Sequence, residues 1–253
     1  MGKNKLKKFA EMETFSNVFQ CGARESLPNN EVVQMAGQWR ARYFKNDHPI
    51  VLELGCGRGE YTVGMARRYP DCNFIGIDIK GARMWAGARE AEMEKMGNVA
   101  FLRTNIEMLT HFFAKDEIDG IWITFCDPQM KKATKRLTST YFMQRYQQIM
   151  KPDGVVHLKT DSPFLYTYTV EMLRLNAYPV LADTGDLYAE SGNDRLTDAA
   201  ALQTHYEKQW LDRGLKIKYL EWQLTPKERW EEPTIEIEKD TYRSYGRNYN
   251  TNT

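Results

Sequence analysis

The sequence predicts an α/β protein built on a doubly wound, mostly parallel sheet of Rossmann-like type. Three observations predict it. Apolar runs of strand length alternate with helix-length stretches from residue 49 onward. The first run, in "VLELGCGRGEYTVG", meets three alternate glycines, Gly55, Gly57 and Gly59, just before a helical segment. The second run, "NFIGID", ends in an acid, Asp78.

Each element follows in order. Residues 1–30 are polar and read as an N-terminal arm. Residues 31–45 carry Val32, Met35, Trp39 and Tyr43 at helical spacing and predict one amphipathic helix. "PIVLEL" is a strand and 59–69 a helix. "NFIGID" is a strand and 80–96 a helix. "VAFLRT" is a strand, with a short helix near 107–114. "IDGIWITF" is a strand and 138–150 a helix. "GVVHLKT" is a strand and 162–176 a helix. "PVLADTG" is a strand, 199–213 a helix, and "KIKYLEWQL" the last strand. With no internal repeat or linker, 31–237 reads as one domain and 238–253 as a polar tail with the composition of disorder. Right-handed crossovers place every loop after a strand's carboxyl end on one sheet edge. Gly55 to Gly59, Asp78, Asn105, Asp127 and Asp161 are therefore expected to converge.

Composition excludes several classes. The formal charge of +1 argues against a generally basic nucleic-acid coat, so any such surface is local. Two basic clusters stand out: Lys3, Lys5, Lys7 and Lys8, and the stretch "MKKATKR" with Lys131, Lys132, Lys135 and Arg136. Cys21, Cys56, Cys72 and Cys126 match no zinc or redox spacing, and the four histidines are scattered, so no metal site is expected. Isolated thiols, a basic start without a secretory apolar region, Leu6 where a myristoylation motif needs Ser or Thr, and no apolar window of about 18 residues point to a cytoplasmic protein.

The glycine turn reads ExGxGxG rather than GxGxxG, with Glu60 where the dinucleotide fingerprint has its third glycine. A pyrophosphate needs backbone N–H groups and no nearby anion, which Glu53 and Glu60 oppose. A cationic ligand carrying an amino acid and a sulfonium tolerates both, which points to S-adenosylmethionine. Asp78 is placed to accept ribose hydroxyls, a role shared with NAD enzymes. Asn105, after the third strand, is placed near an adenine edge. A tight turn without ligand would explain the glycines but not the acids.

"WITFCDPQMKKATKRLT" delivers Asp127-Pro128 to the same edge, and Pro128 restricts Asp127 to extended geometry. The four cations that follow are either a solvated charge run or phosphate contacts beside the donor. Lys131 is nearest Asp127 and within reach of the reacting nucleotide. In "HLKTDSPFLY", Asp161 either caps the next helix or bonds donors on a purine edge. "LQTHYEKQW" places Thr204, His205, Tyr206 and Glu207 on a helix that spacing alone makes a plain surface segment.

Together, the ExGxGxG turn, "FIGIDIKGARMW", "NIE", "FCDPQMKKATKRLT", "HLKTDS" and "THYE" resemble the bacterial tRNA (guanine-N(7)-)-methyltransferase family, TrmB, over roughly residues 30–222. The resemblance implies a seven-stranded class I methyltransferase fold and methylation of guanosine 46 in the tRNA variable loop. It implies that Glu53, Asp78, Asn105 and Asp127 contact S-adenosylmethionine and that Asp127 is catalytic. It further implies that Lys131, Asp161 and the Thr204 to Glu207 stretch hold tRNA. Departures fall at Cys126, where the family has Pro, at Gln129, where it has a stacking Trp, in the less basic "ATKRL", and at His205, where Lys is frequent.

Guanine nitrogen-7 has a lone pair and no proton, so attack on a sulfonium methyl needs alignment and negative potential rather than a strong base. Acids without a catalytic His or Cys constellation suit that. Cys126 precedes Asp127 directly, and strand alternation would turn the two side chains to opposite faces. That favours a buried thiol over a pyrimidine-type nucleophile. An exocyclic-amine methyltransferase lacks support because the second Pro and the aromatic of its (D/N)PP(Y/F) loop are missing. A donor- or tRNA-binding protein without turnover is the non-enzymatic alternative.

Overall fold

A computed structural model describes residues 3–21, 30–190 and 193–241. Its strands are β1 (Val18–Gln20), β2 (Ile50–Leu54), β3 (Asn73–Ile77), β4 (Val99–Arg103), β5 (Ile118–Thr124), β6 (Met150–Thr160), β7 (Val180–Thr184) and β8 (Lys218–Gln223). Its helices are α1 (Lys3–Met12), α2 (Glu60–Arg68), α3 (Gly81–Met93), α4 (Thr140–Tyr146), α5 (Pro163–Leu175), α6 (Asp194–Ala200) and α7 (His205–Asp212). The strands form one sheet in the order β1-β4-β3-β2-β5-β6-β8-β7. Pairing is parallel from β1 across to β6 and antiparallel for β6·β8 and β8·β7.

The chain steps outward from β2 to β3 and β4, then returns to β5 on the other side of β2. That reversal opens a crevice at the carboxyl ends of β2 and β5. The middle strands are apolar on both faces because helices cover both. Ile50, Leu52 and Leu54 join Ile75, Ile77, Trp39 and Met172 in one core. Phe74, Phe101, Trp122, Tyr61 and Met84 belong to the other. In that second core His157 stacks on Trp122 at 4.0 Å, and burial pulls the imidazole down to about 3, so it stays neutral.

All seven expected strands are present, and an eighth comes from the expected N-terminal arm. β1 extends the sheet beyond β4, with Val18 opposite Phe101 and Gln20 opposite Arg103. α1 lies on α3, where Glu11 accepts from the Trp85 indole at 2.7 Å and Lys8 sits 4.5 Å from the Trp85 ring. Residues 3–21 are thus part of the body, and 22–29 lie outside the described residues. A three-residue strand is too short for alternation to show; it is held by pairing with β4 and by partial burial.

Two expected helices divide. Residues 31–45 form a 3-10 turn at Glu31–Met35 and a π-helical segment at Trp39–Phe44, separated by Gly37 at φ 74°. The Glu117 carboxylate takes the Gly37 and Trp39 amides at 2.7 and 3.3 Å, so a tertiary acceptor replaces the helical ladder there. Residues 199–213 split into the end of α6 and all of α7, because Thr204 and Glu207 form a reciprocal capping box that starts a new helix. Of the segment expected as a tail from 238, residues 238–241 are described, with Asp240 bonded to the head of α5, and 242–253 lie outside the described residues. Among the described residues no helix is long and apolar enough to cross a membrane.

Gly87 in α3 donates to the Arg58 carbonyl at 2.8 Å, and a Cβ there would lie 2.7 Å from that oxygen and 2.9 Å from Gly59 Cα. Helix propensity alone favours Gly87→Ala by about 1 kcal/mol. Overpacking against backbone costs about 1–3 kcal/mol and wins. The variant should unfold at lower denaturant than wild type; a raised midpoint would refute this packing account.

Candidate active site

A cavity of about 310 Å³ lies in the crevice at the strand ends. Its floor is the turn from β2 into α2. Gly55 and Gly57 adopt φ of 78° and 55°, and nothing lies within 4 Å of where a Cβ would stand at Gly55. Such backbone lets a ligand approach closely. Gly59 has another job. It sits at φ 75° as the N-cap of α2, and its absent Cβ makes room for the Phe101 ring and Gly87 Cα. It packs outside the cavity wall, whereas the glycine turn led to its being expected among the cofactor contacts. The spacing that hinted at a nucleotide was partly a helix–strand contact.

Glu53 is 3% exposed and lines the cavity from below. It accepts from the Thr62 amide at 2.8 Å, from the Thr62 hydroxyl, and from the Thr124 hydroxyl at 2.6 Å. Those bonds favour the anion, but burial outweighs them and pushes Glu53 up to about 7. Asp78 spans the mouth of the turn: one oxygen accepts the Gly57 amide at 3.0 Å and the other the Lys80 amide at 2.8 Å. Each oxygen keeps a second lone pair. Tyr61, also in the wall, has a buried hydroxyl with no protein partner among the described residues.

The opposite wall is the loop after β5. Asp127 is exposed to the cavity, and its Oδ1 accepts the Gln129 amide at 3.0 Å. Phe125 and Gln129 both take φ of 48°, a left-handed geometry that costs non-glycine residues roughly 1–2 kcal/mol each. The turn at Phe125 breaks strand alternation, so Cys126 and Asp127 both line the cavity rather than facing apart. Cys126 is nonetheless a buried thiol, 8% exposed.

The cationic run does not act as one unit. Lys131 and Lys132 are exposed, and Lys131 lies outside the cavity wall. Lys135 reaches the wall and pairs with Glu107. Arg136 is buried. It donates to the Gln129 and Met130 carbonyls at 3.2 Å each and stacks over Phe164 and Tyr168. It is the clamp of the Asp127 loop, not a phosphate contact, and its closeness to lysines in sequence concealed this.

The third wall is the start of α7. Thr204 and Tyr206 line the cavity. The His205 amide donates to Glu60 at 2.8 Å, tying α7 to the head of α2, while its ring points elsewhere, toward Gln209. Glu207 is fully buried behind this wall, paired with Lys159 at 2.8 Å and accepting from Tyr188 at 2.5 Å. Lys159 also donates to the Ala199 and Leu202 carbonyls. Burial lowers the Lys159 pKa while Glu207 raises it. The wall is thus held from beneath by a desolvated ion pair, whose loss of either partner is costly.

Two expected contacts lie off the wall. Asn105 caps the 3-10 turn Ile106–His111 through the Glu107 amide, and its neighbour Ile106 meets the cavity instead. Asp161 is fully buried past the end of β6, and its carbonyl accepts from Lys218 at 3.3 Å. Neither lines the cavity. Conversely, Ile79, Ile106, Arg58, Lys80 and Arg83 do line it and were not anticipated. Their signal was available: each adjoins a strand-end residue already singled out or opens the helix that follows.

A family model described as "Putative methyltransferase" matches residues 47–220. A tRNA (guanine-N(7)-)-methyltransferase of Bacteroides thetaiotaomicron is 57% identical over 247 residues, covering 98% of this chain and 96% of the relative. One from Porphyromonas gingivalis is 55% identical, covering 93% and 96%. Among solved structures, the 16S rRNA methyltransferase KamB superposes with a TM-score of 0.56 at 14% identity, covering 75% of this chain and 92% of that one, a likeness of fold alone. With relatives this similar along nearly its whole length, the chain belongs to the tRNA (guanine-N(7)-)-methyltransferase family.

Proposed function

We propose that this chain methylates guanine nitrogen-7 in tRNA, at guanosine 46 of the variable loop, by direct in-line transfer from S-adenosylmethionine in the cytoplasm. The observation that carries the reading is the meeting of Glu53, Asp78 and Asp127 around one cavity at the sheet's switch point. The relatives' shared name supports the tRNA substrate.

The residues present fit the methyl donor. Gly55 and Gly57 leave open space against bare backbone, Asp78 retains acceptor capacity for vicinal hydroxyls, and Glu53 offers a carboxylate that a nearby ammonium would ionise. Ile79 and Ile106 give the rim an apolar surface suited to a purine face. When bound, the donor supplies a methyl group activated by the sulfonium.

Guanine gains positive charge as nitrogen-7 bonds to the methyl, so the protein must align the base and supply negative potential. Asp127, exposed at the wall and fixed by its own turn, is the group for that task. No proton has to leave nitrogen-7, so the transfer itself requires no general base. Thr204 and Tyr206 face the substrate side, and Glu207 acts from behind by fixing Thr204. Lys131 and Lys132, exposed beside the loop, are placed for tRNA phosphates.

The reading is tested by nucleoside mass spectrometry of unmodified tRNA treated with the purified chain. N7-methylguanosine should appear and should vanish when 7-deazaguanosine replaces guanosine 46; methyl on any other atom would contradict it. Asp127→Asn should lower kcat by about 10²–10³ while thermal unfolding stays that of wild type. Near-normal turnover would remove Asp127 from the mechanism.

Glu53→Gln has a signed pH effect. Between its ordinary value of 4.5 and about 7, the folded state holds a proton that the unfolded state has released. Wild-type stability contributed by Glu53 therefore falls as pH rises through that window, by roughly 3 kcal/mol once complete. Thermal midpoints should show the variant gaining on wild type from pH 5 to pH 8. A gap that does not change with pH would refute the buried, raised carboxyl.

Lys5, Lys7 and Lys8 lie on α1, which is packed on α3, so substitution is a cleaner test than deletion. Replacing all three with Gln should weaken tRNA binding and flatten its salt dependence by up to about 3 in the log–log slope. An unchanged slope would assign them to solubility.

A further inference from the structure

The loop that carries Asp127 is gripped from two sides. Arg136 holds it from within the loop, through the Gln129 and Met130 carbonyls. The second grip comes from the far end of the sequence. After β8, residues 225–241 run back along α4 and α5, beyond the stretch shared with the family model. Glu231 and Asn176 exchange backbone–side-chain bonds at 2.8 Å. Glu232 accepts from the Thr140 hydroxyl at 2.6 Å and from Tyr168. The strap then reaches Asp240, which is 7% exposed.

Asp240 joins the loop after β5 to the structure behind the cavity wall. Its carboxylate accepts the Ser162 hydroxyl at 2.5 Å and the Phe164 amide at 3.1 Å, at the head of the 13-residue helix α5. A carboxylate is favoured there by the free amides and the helix dipole. Its own amide donates to the Met130 sulfur at 3.2 Å. Met130 lies in the Asp127 loop, and Ser162 directly follows Asp161 at the end of β6. Lys218, which feels both Asp161 and Asp240, completes the junction through the Asp161 carbonyl.

We propose that Asp240 is a positioning residue for methyl transfer: it anchors the Asp127 loop to the buried end of β6 and the head of α5 behind the cavity wall, and so fixes where Asp127 stands. This rests on the methyl-transfer reading above. The Glu53 and Asp78 side of the cavity is built from other elements, so release of the loop should affect donor binding far less than turnover. Misplacement of a reacting group by about 1 Å can cost about 10²-fold in rate, so a partial release of the loop should cost about tenfold.

The test compares Asp240→Ala and Asp240→Asn with Glu232→Ala, a strap change that touches α4 and α5 but not the loop. Four readouts are taken: kcat and KM on tRNA, S-adenosylmethionine affinity by calorimetry, thermal midpoint, and amide hydrogen exchange across 126–136. Asp240→Ala should lower kcat about tenfold, leave donor affinity within about twofold, and speed exchange in 126–136. Asp240→Asn, which keeps the shape and one acceptor, should fall between it and wild type. Glu232→Ala should lower the midpoint without either change. Equal kcat and exchange losses in Asp240→Ala and Glu232→Ala, or none in either, would overturn the proposal. Wild type that fails to methylate guanine would instead refute the functional reading, and the exchange comparison would still decide whether Asp240 holds the loop. If Asp240→Ala does not fold, Asp240→Asn against Glu232→Ala gives the same decision.

Discussion

A carboxylate buried where water would stabilise it far better is the constraint that organises this molecule. Glu53 stands at the end of the first core strand, on the face opposite Leu52 and Leu54, and takes hydrogen bonds from the head of α2 and the end of β5. Those bonds lock β2, α2 and β5 together beneath the cavity. They do not fully repay desolvation, which is why the carboxyl resists ionisation near neutral pH. Such a group costs the fold stability, and in the proposed reading a bound cation offsets that cost. The neighbouring Asp78 and Asp127 extend the same negative wall, and Arg58, Lys80 and Arg83 place positive charge beside it.

Around that centre the fold supports each wall by a buried polar device rather than by the wall residues themselves. Arg136 clamps the Asp127 loop, the Lys159–Glu207 pair underpins the start of α7, and Asp240 joins the loop to the end of β6. Each is largely desolvated, so each is costly to break, and together they hold a site whose own loop carries two left-handed residues.

Much of this was legible in the chain. The central strands read clearly because both their faces are covered, which leaves long apolar runs between turn residues. Glu53, Asp78 and Asp127 were legible because they end such runs. What escaped the sequence depended on partners distant along the chain. β1 exists only by pairing with β4, and the break at Gly37 exists because Glu117 captures two amides. Arg136 looked like its lysine neighbours until Phe164 and Tyr168 were seen beneath it. Asp161 and Glu207 share the acidic character of the cavity residues, yet both lie behind its wall. The capping box at Thr204 was visible as Thr-x-x-Glu and would have divided the last long helix correctly.

The central claim is that Glu53 is a protonation-sensitive seat for a cationic donor. It is tested most directly by titrating S-adenosylmethionine into the protein near pH 6.5 in buffers of different ionisation enthalpy, with Glu53→Gln alongside. The account predicts that wild type releases a substantial fraction of a proton on binding and that the variant releases less and binds more weakly. Identical proton exchange and equal affinity in the two proteins would contradict it.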